Sequence, residues 1–293
     1  KFLAEKPYPK DLTAYGAAFG GAALDWVRDA LPEEMAKKAA DKLVEGIDPL
    51  YHSLEHPSIN HNYTYVSLYA LAVGALAVYG EGPEYTERAE KYLRRVKSLL
   101  EDEGMALDTF RNKEGVWAEG NHYSPYVVYT PFLMTLAALT SSTDHDYFGI
   151  IREQYDNFLI PMGKYIVANM RPDFTLERIG DMGSRWVNPN DTQMRPIVEL
   201  IAKEQGDPVF MGQLRSFCEE MQRYHGKTLI PSYYRWMMLF IYDDSLPTEP
   251  SYKTLPVFMR LGKNAYEQIM MRNGWDESST LITTVCGDHY TDH

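Results

Sequence analysis

Cysteine, excess basic charge and long apolar runs are all scarce in this chain. The two cysteines, Cys218 and Cys286, predict neither a disulfide framework nor a cysteine-ligated zinc site. Lys and Arg number 29 against 41 Asp and Glu, and the formal net charge of -12 excludes an overall basic field for nucleic acid or an anionic membrane surface. No uninterrupted run of about 18 apolar residues indicates membrane insertion, and the first residues lack the order of a signal peptide. We therefore expect neither a nucleic acid nor a membrane interior as partner.

Apolar and aromatic residues, by contrast, are plentiful. The 293 residues are 45% hydrophobic and 24% charged, which is typical of a globular protein with a sizeable core, built as one large domain or two. The 22 tyrosines suit the stacking of sugar rings, although aromatic side chains are equally ordinary core material.

Apolar residues recur at three- and four-residue steps through most of the chain before Asp243, which is the period of α-helices. Segments 63–79 and 126–139 are apolar nearly all round and predict buried helices. Segments 85–100 and 148–170 have one polar face and predict outer helices. This alternation is typical of antiparallel helix pairs. Further helices are predicted at 12–31, 32–44, 194–205, 209–224 and 233–242, with a turn-rich connection at 48–59.

The pattern changes after residue 244. Three prolines interrupt any helix there, and segments 265–271 and 280–285 predict strands. Asn273-Gly274 between them favours a hairpin. We therefore place a domain boundary near residue 246, with a β domain that begins there and is expected to continue past the end of the chain.

Two polar clusters stand directly before the predicted buried helices. Asn60, His61 and Asn62 precede the first, and residues 117–126 precede the second. Loops on a rigid scaffold commonly carry function. We therefore expect the two clusters to face one shared groove.

Four short motifs occur in a fixed order along the chain. They are Asn60-His61, then Glu119-Gly120-x-x-Tyr123-x-x-Tyr126, then Met271-Arg272-x-Gly274-Trp275, and finally His289-x-x-x-His293. This order resembles that of the heparinase II/III-like polysaccharide lyases. The resemblance implies a mainly α fold, with an incomplete (α/α) toroid of antiparallel helix pairs at 1–246. It implies the start of an antiparallel β-sandwich domain at 247–293.

The resemblance also implies an activity, the cleavage of a uronate-containing glycan at C4 after removal of the proton at C5. Negative charge then spreads onto the neighbouring carboxylate, so the site must neutralise it with fixed donors. Asn60 offers an amide donor, and His61 is either the base or a partner of the carboxylate. Tyr123 is the leading acid and a candidate base, with Tyr126 as the alternative tyrosine, and His293 is a further catalytic candidate.

Ordinary structural roles compete with each of these assignments. Asn60 and His61 are both placed to cap the following helix. Tyr123 and Tyr126 lie three residues apart, a spacing that equally suits core packing. The predicted substrate contacts are Tyr126, Trp117, His122, Glu119 and Arg185. Among them, Glu119 is equally suited to orienting its loop, a buried Trp117 needs no ligand to explain it, and Arg185 suits either an acidic sugar or a neighbouring carboxylate.

The chemistry implied by the resemblance needs no cofactor. Some members of the family carry a structural zinc in the β domain, so the resemblance makes a structural zinc or calcium ion there possible. His293 alone could contribute a ligand, which is not enough to predict a site, and the metal content stays open. The substrate is expected to be an acidic polysaccharide, either alginate or a glycosaminoglycan such as heparin or heparan sulfate. A substrate of that size predicts a secreted or periplasmic protein.

Two other functions fit the same residues. A glycoside hydrolase on an α/α toroid would need two carboxyl groups across its cleft, and Glu119 would have to be joined by Asp108 or Asp181. A carbohydrate-binding protein without catalysis would keep the groove and lack the chemistry.

Overall fold

The computed structural model describes residues 13–102, 106–117, 119–121, 123–180, 194–225, 235–264 and 266–286. These residues are mainly helical, with a three-stranded antiparallel sheet near the carboxyl end, which confirms the mainly α prediction. The chain divides into two compact units, the first comprising residues 1–106 and 131–147 and the second residues 107–130 and 148–293. The boundary near residue 246 stays a prediction.

The first unit is built from helices around one apolar helix. Its helices are α1 (Thr13–Val27), α2 (Glu33–Ser53), α3 (Asn62–Val78), α4 (Pro83–Lys97) and α6 (Thr130–Ser142). The apolar helix α3 packs against α1, α2 and α4. Most of its side chains are buried, as its all-round apolar sequence predicts. In α4, by contrast, four residues spaced along one face are buried: Tyr85, Ala89, Tyr92 and Val96.

Two glycines let α1 and α3 approach closely. A Cβ atom added to Gly21 would lie 3.1 Å from the carbonyl oxygen of Val73 and 3.2 Å from the Cα of Gly74. A larger side chain would therefore push the two backbones apart. This contact holds α3 in the middle of the first unit, so the residues that begin α3 are attached to a well-packed element.

The second unit combines short helices with the sheet. Its helices are α5 (Ala106–Asn112), α7 (Tyr147–Gln154), α8 (Leu159–Ala168), α9 (Met194–Glu204), α10 (Pro208–His225) and α11 (Met238–Ile241). A π-helical segment, Ser124–Tyr129, precedes α6 and packs on α9. Helix α8 contacts both α9 and the first strand.

The sheet contains β1 (Phe258–Leu261), β2 (Glu267–Arg272) and β3 (Leu281–Cys286), in that order across the sheet. Antiparallel pairing of β2 with β3 confirms the predicted hairpin, with Met271 opposite Ile282. On β1, Met259 and Leu261 are buried, and Phe258 and Arg260, which alternate with them, are exposed. Strand β1 was not predicted, because it is only four residues long and follows closely on three prolines.

Two predicted elements differ in the structure. The turn-rich connection predicted at 48–59 begins later, because α2 continues through Pro49 to Ser53. Pro49 is exposed, and burial of the last turn, where Leu54 is 1% exposed, offsets the missing backbone hydrogen bond. The single outer helix predicted at 148–170 is two helices, since Asp156 and Asn157 adopt left-handed backbone angles that end α7.

No helix among the described residues is both long enough and apolar enough to cross a membrane.

Candidate functional site

A glycine pair fixes the loop that carries the candidate tyrosine in the second unit. Gly120 and Gly180 form an isolated antiparallel bridge, and both have positive φ angles. A Cβ atom on Gly120 would lie 2.0 Å from the carbonyl oxygen of Ile179. Only glycine fits such an approach in this conformation. The polypeptide on either side of Gly120 is therefore held against residues 177–180.

Buried amides attach the same loop to α8 and β2. The Asn121 side chain donates to Asn169 Oδ1 at 2.8 Å and to the Glu177 carbonyl at 2.7 Å, and it accepts from the Tyr165 hydroxyl at 2.9 Å. Gln268 on β2 completes the group, with its amide 3.4 Å from the Tyr165 hydroxyl. Asn121, Tyr165 and Asn169 are each 1% exposed. Satisfied buried networks of this kind hold one conformation.

Tyr123 begins the π-helical segment directly after this anchored loop. Its backbone is helical, and it lies within the turn that Ser124 closes, since the Ser124 amide and hydroxyl both donate to the Gly120 carbonyl. The Tyr123 side chain is half-buried, whereas Glu119, Gly120 and Asn121 are buried. Within the described part of the loop, Tyr123 is thus the side chain that remains accessible to a ligand.

Trp117 and Glu119 lie in the interior instead. Each is 1% exposed, and the Trp117 indole nitrogen donates to Glu119 Oε2 at 2.7 Å. Phe110 packs on the indole with ring centroids 5.7 Å apart. This burial supports the structural interpretation of both residues: Glu119 orients the loop through Trp117, and the indole has no open face for a sugar.

A buried lysine accompanies this pair. Lys113 is 5% exposed, and its Nζ atom lies 4.6 Å from the ring centre of Trp117 and 4.4 Å from that of Tyr266. Burial lowers the pKa of Lys113 to about 8, and the neighbouring charge of Glu119 opposes the shift. The aromatic faces stabilise the ammonium that burial disfavours.

His61 occupies the cap position of α3 in the first unit. Its Nδ1 accepts a hydrogen bond from the Tyr63 backbone nitrogen at 3.2 Å, and its ring stacks on the Tyr63 ring with centroids 5.0 Å apart. A backbone nitrogen can only donate, so in neutral His61 the ring proton lies on Nε2. The cap is His61, and the expectation that Asn60 is equally placed to cap was wrong. Asn60 is exposed in the turn before it.

The ring of His61 also lines a cavity of about 210 Å³. Its remaining lining residues all belong to the first unit: Ser53, Leu54, Pro57, Ser58, Tyr63, Thr64 and Ser67. Hydroxyl groups and apolar surfaces are combined in this wall, and none of the lining side chains carries a formal charge unless His61 is protonated.

Several predicted site residues lie outside the described residues. These are His122, Arg185 and His293. The side chain of Tyr126 likewise lies outside the described part of the structure. Their roles stay predictions. Asn60 and His61 belong to the first unit and Tyr123 to the second, and the shared groove stays a prediction as well.

No three residues of the types His, Cys, Asp or Glu come together as a metal site would require anywhere in the described segments. The candidate ligand His293 lies outside the described residues, so the metal content stays a prediction, and no step proposed below uses a metal.

Sequence reasoning missed the residues that support Tyr123 and His61. Asn121 could have been suspected from its place inside the polar cluster, but its partner Asn169 lies 48 residues away along the chain, and Gln268, which contacts Asn169, lies a further 99 residues on. Ser67 carries no signal of its own inside an apolar helix sequence. Lys113 is indistinguishable in sequence from a surface lysine.

No protein-family model matches this sequence, and no curated protein matches it either.

Proposed function

We propose that this protein is a polysaccharide lyase that cleaves a uronate-containing glycan by β-elimination. One observation carries the proposal: Tyr123 is accessible at the end of a loop whose other described polar side chains are buried and hydrogen-bonded. An accessible phenol on a rigid support is what proton transfer to and from a substrate needs. The family resemblance of the motifs at Asn60-His61 and Glu119 to Tyr126 supports the same assignment.

The reaction is a proton transfer coupled to bond cleavage. A base removes the proton at C5, the electron pair forms the C4=C5 double bond, and the C4–O4 bond breaks. The departing O4 then takes up a proton from the acid. While the C5 proton leaves, negative charge builds on the uronate carboxylate, and hydrogen-bond donors to that group lower the barrier.

The geometry of His61 favours one of its two predicted roles. The Nδ1 lone pair accepts from the Tyr63 amide, so Nε2 carries a proton and can donate but cannot act as a base. We assign His61 as a donor to the uronate carboxylate, together with the Asn60 amide. The positive end of the α3 dipole adds to the attraction for the same anionic group.

Tyr123 is then assigned both proton transfers. The phenolate removes the C5 proton, and the resulting phenol returns a proton to O4. One side chain reaches both atoms only where the C5 proton and O4 lie on the same face of the ring, as in mannuronate and glucuronate. The proposal therefore favours these sugars over guluronate and iduronate.

The hydrolase alternative is less well supported by the carboxyl groups. Glu119 is 1% exposed and accepts from Trp117, and Asp108 is paired with Arg111 at 2.7 Å. A hydrolase needs two carboxyl groups open to the scissile bond, and neither of these described groups is free for that role.

The proposal includes the finer architecture and the setting that the resemblance implies. These are an incomplete (α/α) toroid followed by a β-sandwich domain, an acidic polysaccharide as substrate, and a secreted or periplasmic location.

The products of a substrate panel test this proposal. Incubation with mannuronate-rich alginate, guluronate-rich alginate, hyaluronan and heparan sulfate is expected to give an ultraviolet-absorbing unsaturated uronide from at least one mannuronate or glucuronate polymer. New reducing ends without that chromophore would establish hydrolysis in its place. Saturable binding with neither product would leave a carbohydrate-binding protein.

A further inference from the structure

We propose that the cavity between α5, α8 and β1 binds a small phosphate ester that also carries hydroxyl groups, such as a sugar phosphate. All of its lining residues belong to the second unit, and the inference does not rest on the proposed lyase activity. Three features carry it: cationic side chains with unused hydrogen-bond donors, two carboxylates on a fixed backbone, and a volume of about 430 Å³.

The wall of this cavity is rich in charged groups, and cations outnumber carboxylates in it. Four of the lining side chains are cationic and two are acidic, namely Arg111, Lys164, Arg260 and Lys263 with Glu114 and Asp156. They come together from the end of α5, from α8 and the turn before it, and from β1 and the turn after it. A wall with both signs of charge suits a ligand that has an anionic group and hydrogen-bond donors.

The two lysines of the wall are weakly engaged. Lys164 Nζ lies 5.7 Å from the ring centre of Phe210, and no carboxylate pairs with it in the part of the chain that the structure describes. Lys263 Nζ lies 3.8 Å from Glu114 Oε1, which is beyond hydrogen-bond distance. Exposed ion pairs of this kind contribute little. Both ammonium groups can therefore turn to an anion in the cavity.

The two arginines are oriented by carboxylates outside the wall. Arg260 donates from Nε and Nη2 to the two carboxylate oxygens of Glu267, at 3.0 and 2.8 Å. Arg111 Nη2 lies 2.7 Å from Asp108 Oδ1. These pairs balance the charge of the guanidinium groups but use only part of their five N–H donors. The arginines thus supply fixed donors, and the lysines supply uncommitted charge.

The two acidic residues of the wall lie on an unusual backbone. Glu114 has a φ angle of 51° and Asp156 one of 55°, in the left-handed region. A Cβ atom on Gly115 would lie 2.8 Å from a side-chain atom of α8, and the Asn157 amide donates back to α7 at 3.1 Å. Both turns are therefore held against their neighbouring helices. Strained residues that persist in a fold cluster at ligand sites.

The carboxylates select among anionic ligands. Ionised Glu114 and Asp156 only accept hydrogen bonds, so they repel an anion that brings no donors. The hydroxyl groups of a sugar supply those donors. A phosphate ester carries about -1.5 to -2 charges at pH 7, more than the single charge of a sulfate ester, and gains more from two ammonium and two guanidinium groups. A sugar phosphate therefore matches both kinds of charge in the wall.

The size and the apolar part of the cavity fit a ligand of this class. About 430 Å³ lies within the roughly 300–1,000 Å³ of sites that hold small organic ligands. Phe158, Pro161 and Leu261 provide apolar surface, and the C–H groups of a sugar ring pack on such surface. The cavity therefore has room for a ring in addition to the phosphate group.

Calorimetric titration of the full chain with glucose 6-phosphate at low salt and pH 7.5 tests the inference. We expect saturable binding, with at least about 10-fold weaker binding of glucose 6-sulfate and of glucose. Lys164→Met should weaken glucose 6-phosphate binding at least about 5-fold by removing one charged donor, and Lys164→Glu should abolish it.

The matched control is Lys203→Met, since Lys203 is an exposed lysine on α9 of the same unit and its replacement changes the net charge equally. It should bind as the wild type does, and thermal unfolding checks that each variant is folded. The inference is wrong if glucose 6-phosphate does not bind, if glucose 6-sulfate binds equally well, or if Lys164→Met has no more effect than Lys203→Met.

The role of the carboxylates has its own test in Asp156→Asn, because asparagine also tolerates the left-handed backbone. This variant should bind glucose 6-phosphate about 3- to 10-fold more weakly, through loss of a charged acceptor for hydroxyl groups. Methyl phosphate has no hydroxyl group to donate, and it should bind at least as tightly as to the wild type. Equal changes for both ligands would refute the pairing of hydroxyl groups with Asp156.

The cleavage assay is independent of this site. Lys164-dependent binding without any unsaturated product from glycans would refute the lyase and leave the phosphate site. Unsaturated product without binding of glucose 6-phosphate would leave the lyase and refute the phosphate site.

Discussion

At the residue scale, His61 combines two duties that the sequence presented as competing alternatives. Its Nδ1 caps α3 by accepting from the Tyr63 amide, and this same bond leaves the proton on Nε2, where a carboxylate can accept it. The structural role thus sets the tautomer that the proposed chemical role requires. Capping and carboxylate binding are therefore compatible duties of one ring.

Two substitutions at His61 distinguish its role in capping α3 from its proposed role in binding the substrate carboxylate. His61→Ala removes the cap and should lower the free energy of unfolding by about 1 kcal/mol, whereas His61→Asn retains a good capping side chain and should change it little. Both should lower turnover about 10²- to 10³-fold, because the shorter side chains withdraw the donor from the carboxylate. Urea denaturation and initial rates measure the two effects. Near-normal turnover in His61→Asn would show that the cap is the whole role of this residue.

Lys113 gives the molecule a specific dependence of stability on pH. Burial lowers its pKa to about 8, against 10.5 for an exposed lysine. Between pH 8 and about 10, the unfolded chain binds a proton that the folded chain has released, so the free energy of unfolding rises with pH. The slope from one group is at most about 1.4 kcal/mol per pH unit. Below pH 8 both states hold the proton, so the slope vanishes and the full destabilisation by the buried ammonium remains.

Replacing this lysine should remove the rise. We expect Lys113→Met to have a flatter stability profile than the wild type from pH 8 to about 10, measured by urea denaturation at each pH. The comparison stops at about pH 10, because ionisation of tyrosines in the unfolded chain also changes the free energy of unfolding above that pH. Lys37→Met, at an exposed position on α2, is the control and should keep the rise. Identical profiles for wild type and Lys113→Met would contradict the burial of a charged amine.

The sequence was enough to predict the accessible residues of the candidate site, but not the buried residues that hold them in place. Tyr123, Asn60 and His61 are all at least partly exposed, as residues that meet a ligand need to be. The supports are long-range contacts, such as Asn169 with Gln268, and one sequence holds no record of which distant residues meet. The role of Trp117 could not be decided for a related reason, since the sequence pattern does not distinguish a buried aromatic residue from an exposed one that stacks on a sugar.

At the element scale, the close contact of α1 with α3 at Val73 and Gly74 stabilises the packing of the first unit. Gly21→Val should force the helix backbones apart and lower the free energy of unfolding by about 1–3 kcal/mol. Asp25→Val places the same side chain at an exposed position of the same helix, where the effect should stay within about 0.5 kcal/mol. Urea denaturation compares the two, and equal effects would show that α1 and α3 do not meet at Gly21.

Helices with a strong pattern were predictable, and their ends were not. The 3.6-residue period located α3 and α4 because burial of one face, or of all faces, determines that pattern. The break after α7 depends on left-handed angles at Asp156 and Asn157, and neither residue requires that conformation. Pro49 predicted a helix end that the packing of Leu54 overrides. Local propensity is a weak guide where tertiary contacts decide.

At the scale of the whole molecule, the net charge of -12 opposes a polyanionic substrate. Added salt screens that repulsion, since the Debye length falls from about 30 Å at 0.01 M to about 8 Å at 0.15 M. We therefore expect KM for a polyuronate to fall as NaCl rises over this range, with kcat nearly constant. Initial rates at each salt concentration measure it. A KM that rises with salt would indicate a cationic binding surface and contradict this expectation.

Composition and the change from helical to strand pattern near residue 246 were enough to predict a mainly α chain with a carboxyl-terminal sheet. They could not predict the division into two units, because residues 131–147 group with the first unit and the residues on either side with the second. That grouping follows from packing between distant segments, which a pattern along the chain does not contain.

The proposed lyase mechanism requires Tyr123 to move both protons, and substitution of this tyrosine tests the mechanism most directly. We expect Tyr123→Phe to lower the rate of unsaturated-uronide formation from mannuronate-rich alginate about 10²- to 10⁴-fold, with the unfolding midpoint and oligosaccharide binding unchanged. Tyr126→Phe, at the alternative tyrosine, should retain most of the rate. Near-normal turnover in Tyr123→Phe would contradict proton transfer by Tyr123.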